Sequence, residues 1–136
     1  MFLPAAIAGC DDSITNPFAS TAIDLGEDAG VLNYLYAIEQ LELGFLNRIA
    51  AFNATRFAGM TAAELTAFTS ILAHDSAHRD FLRRTLRSGR ISDALAFDFE
   101  SVDFSSRASV MTNARRIQDL AVAAYNGALD LSLIHI

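Results

Sequence analysis

Lysine and tryptophan are absent from this 136-residue chain, cysteine occurs once and proline twice. One cysteine cannot close an intramolecular disulfide, which excludes a secreted disulfide scaffold. No apolar run approaches the ~20 residues of a membrane-spanning helix, although 52% of the residues are hydrophobic and the mean hydropathy is +0.29. The chain therefore reads as globular. Its positive charge is all arginine, ten residues against sixteen acidic ones for a net charge of −6. These arginines are scattered, which removes nucleic-acid binding through a basic patch. The missing lysine fits a GC-rich coding sequence and carries no mechanism. At this length the chain is one domain's worth, long enough to bury a core.

The single cysteine gains meaning from its context. Ile7-Ala8-Gly9-Cys10 closes the apolar segment Phe2 to Ala8, and Asp11-Asp12 follows. The arrangement resembles a bacterial lipobox, so residues 1–10 are a candidate lipoprotein signal remnant with Cys10 as the lipidation site. That implies membrane anchoring and a location in the bacterial cell envelope, periplasmic or lipid-anchored. Nothing basic precedes Phe2, whereas secretory signals carry a charged start. Either the true start lies upstream, or this is a small apolar N-terminus and the protein is cytoplasmic. At the other end, residues 131–136 (Leu131-Ser132-Leu133-Ile134-His135-Ile136) back-translate to a transposon-end adapter used in sequencing libraries. We expect an adapter-derived tail there and give His135 no chemical role.

Between the ends the patterning is helical. Residues 11–27, with Pro17, Gly26 and many Asp, Ser and Thr, read as a linker. From Asp28, Leu32, Leu35, Ile38, Leu41, Phe45, Ile49 and Phe52 recur at helical spacing to about Arg56, with Asp24 and Asp28 as candidate caps. Thr61-Ala62-Ala63-Glu64 is a capping box opening a second helix to about Ser88, with Gly89 as its expected C-terminal cap. The short connection makes these two helices antiparallel neighbours. Residues 89–105 lack helical period and are long for a bundle connection, so they are expected along its outside, pinned by Phe97, Phe99 and Phe104. A third helix starts near Ser105 or Ser106 and runs to about Leu129. Ala114, Ala121, Ala123 and Ala124 on it permit close approach.

Chemistry concentrates in His74-Asp75-Ser76-Ala77-His78. A helix advances ~100° per residue, so Asp75 and His78 share a face, with His74 one turn before His78. A carboxylate and an imidazole so placed can ligate a metal ion. Glu39 and Glu42, one turn apart on the first helix, are further donors if that face is buried, and ordinary solvated residues if it is not. His78 reads equally as a ligand or a hydrogen-bonded structural histidine, and His74 as exposed or adjacent to the ligands. Tyr34, Tyr36 and Tyr125 read as core aromatics, although a tyrosine near a metal could pass electrons.

Three stretches together resemble the bacterial ferritin-like domain family that includes the desiccation-related proteins. They are Leu32-Asn33 with Glu39 and Glu42, then Asp75 with His78, then Gln118 leading into Ala124-Tyr125-Asn126-Gly127-Ala128. The resemblance covers residues 28–130 and implies an all-α fold, a ferritin-like up-down helical bundle with three long helices present and the fourth missing. Glu39 falls on the first-helix ligand and Glu42 is a neighbouring carboxylate. Asp75 stands where the family has a bridging Glu, His78 on the ligand His, and Gln118 where a third-helix Glu is expected. The implied metal set is Glu39, Asp75, His78 and Gln118, with Glu42 and His74 beside it. Iron or manganese is the implied cofactor, and iron oxidation or a role in oxidative or desiccation stress the implied function. Asp75 and Gln118 depart from the pattern, so the alternative is a metal-free envelope-associated structural or interaction module. The face a fourth helix would cover is expected to be apolar, favouring self-association into a homo-oligomer.

Overall fold

The apolar periodicity resolves into α1 (Asp28–Asn53), α2 (Ala62–Leu86) and α3 (Arg107–Leu131) in a computed structural model that describes residues 23–53 and 59–131. Cys10 and the segment around it, linker residues 11–22, Thr55, Arg56 and residues 132–136 with His135 lie outside the described residues. Among the described residues there is no strand, and no helix is long and apolar enough to cross a membrane.

Local chemistry sets the helix ends. Thr61 Oγ1 accepts from the Glu64 amide at 3.2 Å and the Glu64 carboxylate accepts from the Thr61 amide at 2.9 Å, the reciprocal box that the sequence predicts. Ser106 caps α3, its carbonyl accepting from Val110 and its hydroxyl from Ser109. Two expected caps differ. Asp24 closes a turn onto the Gly26 amide ahead of α1, 2.9 Å away, rather than capping the helix. Its carbonyl comes so near the helix start that a side chain on Gly30 would collide with it, which makes glycine obligatory there. At the end of α2 the positive φ falls on Arg87 (52°), whose amide donates to the Arg83 carbonyl, and not on Gly89. Gly89 instead closes the short 3-10 turn Arg87–Gly89, with its carbonyl bound by Asn33.

α2 runs antiparallel to α1. Residues 90–106 return along α1, and an ion pair between Arg107 and Glu64 sets the start of α3 beside the start of α2. Both α2 and α3 therefore pack on α1 and barely touch each other.

The returning link has no regular structure, so its amides and carbonyls need other partners. α1 supplies them from one face, at residues 33, 36 and 40. Asn33 donates to the Gly89 carbonyl (2.9 Å) and accepts from the Ile91 amide (2.8 Å). Gln40 donates to the Ser92 carbonyl (2.9 Å) and accepts from the Leu95 amide (3.2 Å). Between them the Tyr36 hydroxyl donates to Asp93, 2.8 Å away, which also pairs with Arg83 and Arg90. Further along, the Phe99 ring lies against Gly44, and Phe99 and Phe104 stack around Phe45 with centroids 5.8 and 5.6 Å away. The phenylalanines expected to pin the link do so.

Apolar burial falls into two clusters. One gathers Val31, Leu35, Ile38, Leu82 and Leu86 against Ala121, Ala124 and Ala128, the small residues letting α3 approach closely; Ala123 faces outward. The other gathers Phe45, Leu46, Ile49, Phe104 and Val110. Fully burying such a side chain stabilises the fold by about 1.5–3 kcal/mol. Between the clusters lies a polar layer holding Glu39, Glu42 and Asp75, all buried.

Candidate metal centre

Each acid in the polar layer is placed by the helix that carries it. Glu39 lies one turn beyond Leu35 and Tyr36, and Glu42 one turn before Phe45 and Leu46, so the apolar packing of α1 carries both carboxylates inward; Glu39 is only 1% exposed. Asp75 sits one turn beyond Ile71 and Leu72 on α2 and is 7% exposed. His78, one turn further, faces the gap between α2 and α3, its side chain 59% exposed. Ligand atoms of Glu39, Asp75 and His78 all lie within 4.8 Å of one another, a group able to hold a metal ion.

Hydrogen bonding leaves this group unfinished. Glu39 Oε1 accepts from the Tyr125 hydroxyl, and His78 Nδ1 lies 3.4 Å from the same oxygen. Glu39 Oε2 and Asp75 Oδ2 are buried without a partner. Buried polar atoms are almost always satisfied, because an unmet carboxylate loses its hydration for nothing. Two such oxygens beside an imidazole are what a hard or borderline cation needs, so the donors present fit iron or manganese.

Electrostatics agree with the geometry. Burial raises the pKa of Glu39, with the Asp75 charge adding to it and the Tyr125 hydrogen bond and His78 opposing. Glu42 is pushed up to about 8, by burial first and then by the charges of Asp75 and Glu39, against a hydrogen bond from Gln118. Asp75 is raised by burial, while His78 and His74 favour its charged form. Burial also raises Tyr125, followed by its bond to Glu39. Three acids that all resist ionisation in one layer gain from a cation, which reverses the local preference for the protonated form.

The expected residues thus divide. Glu39, Asp75 and His78 come together. Glu42 shares their layer but not their group, and Gln118, expected among the ligands, donates its amide to Glu42 Oε1 at 2.7 Å. His74 is exposed and acts on Asp75 through its charge. Tyr125 is the residue missed as a member of the site, having been read as core; it stands seven residues after Gln118, two turns along the same face, and that spacing was the available signal.

An apolar groove of about 240 Å³ runs from Glu42 and Gln118 between α2 and α3, walled by Phe68, Ile71, Met111 and Ile117. Phe81, Val122 and Leu129 are exposed on these two helices.

A family model for the ferritin-like domain matches residues 27–134, and the chain belongs to that family. No curated protein and no solved structure matches it.

Proposed function

Taking the chain as a ferritin-like domain, we propose that it binds a divalent transition-metal ion, iron or manganese, through Glu39, Asp75 and His78. The observation that carries this reading is the pair of buried oxygens, Glu39 Oε2 and Asp75 Oδ2, that have no hydrogen-bond partner among the described residues. Iron bound there would supply redox chemistry, with ferrous iron as substrate and dioxygen or peroxide as oxidant. The protein's own residues prepare the place. Tyr125 holds Glu39 Oε1, and the unpartnered Oε2 would be free to ligate an ion. His78 is the solvent-facing donor and marks the side from which an ion arrives. The apolar clusters flank the layer on either side along α1, while the His78 side stays open to solvent. Because burial raises the pKa of Glu39 and Asp75, protons compete with the ion for both carboxylates and binding weakens as the pH falls.

The metal-free reading is favoured by one observation, the neutral Gln118 amide satisfying Glu42 without any ion. Calorimetric titration of the purified chain with Mn(II), and with Fe(II) under anaerobic conditions, separates the two. Saturable binding that disappears in Glu39→Ala and His78→Ala is expected; no saturable binding by the parent chain ends the metal reading.

A further inference from the structure

The polar layer offers three carboxylates, an imidazole and an amide, enough groups to raise the question of how many ions it takes. We infer that it takes one, and that the Gln118–Glu42 pair fills the place a second would need. This rests on the ligand set proposed above.

Glu39, Asp75 and His78 present their donor atoms within 4.8 Å of one another and so converge on one point, with Glu42 outside the group. The unpartnered oxygens divide the same way. Glu39 Oε2 and Asp75 Oδ2 are bare, whereas no Glu42 oxygen is among the buried atoms lacking a partner. Glu42 Oε1 accepts the Gln118 amide at 2.7 Å, so the positive end of an N–H dipole already stands where a cation between these two side chains would sit. Charge leads to the same conclusion. Two divalent ions a few ångström apart repel four times as strongly as unit charges at that distance. Glu39, Glu42 and Asp75 bring at most three negative charges against the pair's four positive ones, and Gln118 adds none. One divalent ion faces the same three carboxylates, at most one negative charge more than it needs.

Gln118→Glu tests this because it supplies the fourth negative charge beside Glu42, in a side chain of nearly the same shape. Mn(II) is titrated into the full chain and the variant, with stoichiometry read by calorimetry and ion–ion coupling by electron paramagnetic resonance. The parent is expected to bind one Mn(II) with an uncoupled six-line spectrum. The variant is expected to bind two with an exchange-coupled spectrum. Two ions in the parent overturn the inference, as does a single ion in a variant whose circular dichroism matches the parent's. If the variant does not fold, the parent's count decides alone. No Mn(II) in the parent is a separate result, which refutes the ligand set itself.

Discussion

Two faces of α1 bury polar side chains and treat them in opposite ways. Toward the 90–106 link, Asn33 and Gln40 each donate once and accept once, and Tyr36 donates to Asp93. Toward α2 and α3, Glu39 keeps one oxygen bare, and Asp75 across from it does the same. The first face costs little to bury, because each amide exchanges water for a partner of equal quality. The second bears a desolvation cost that Tyr125 and His78 offset only in part. Polarity inside this bundle therefore has two meanings, and partner status distinguishes them: satisfied groups hold the chain's path, and the unsatisfied ones are those we propose ligate a metal ion.

The largest expected effect tests the satisfied face. Asn33→Ala leaves the buried Ile91 amide without a partner and frees the exposed Gly89 carbonyl, and should cost about 1–3 kcal/mol of unfolding free energy in urea, the penalty of one orphaned buried group. Gln40→Ala should behave similarly. Losses below about 1 kcal/mol would show these amides to be incidental and would dissolve the contrast.

A smaller effect concerns pH and the second face. Glu42 holds a proton in the native state that the unfolded chain surrenders, so its contribution is complete below its ordinary pKa of 4.5 and is lost as the pH rises through about 8. Glu39 and Asp75, also raised, act in the same direction. Glu64 and Asp93 act oppositely: their ion pairs and hydrogen bonds hold them at about 2, so their support is present at higher pH and is lost as the pH falls toward that value. Without metal, stability should peak near pH ~5 and decline by on the order of 2 kcal/mol by pH ~8. Urea midpoints across that range measure the decline, and Glu42→Gln should flatten it. A slope unchanged in that variant would place the titration elsewhere.

The parts legible in the sequence are those whose partners are near one another in the chain. The Thr61–Glu64 box is readable because both its residues lie within four positions, and Asp75 with His78 because three positions on a helix make one face. Glu39 was readable as buried from its apolar neighbours. The bonds that define the site were not, since Gln118 reaches Glu42 across 76 positions and Tyr125 reaches Glu39 across 86. Only packing α3 against α1 creates those pairs. The link was readable through its phenylalanines, but the amides of Asn33 and Gln40 gave no sign of holding it. Gly89 drew the cap assignment because glycine tolerates positive φ, yet the turn is held by bonds to Arg83 and Asn33, and Arg87 takes that conformation.

The smallest effect bears on the main contrast most directly. Glu39→Gln keeps an acceptor for Tyr125 while removing the buried charge. Urea unfolding of parent and variant is compared with and without saturating Mn(II). Without metal the variant should be the more stable, by on the order of 1 kcal/mol, having lost a buried carboxylate that keeps one oxygen unpartnered. With Mn(II) the order should reverse, because the parent alone gains binding energy, about 2.7 kcal/mol at a hundredfold excess over Kd. A variant that stays above the parent in both conditions, or below it in both, would contradict the assignment of the bare oxygens to a metal ion.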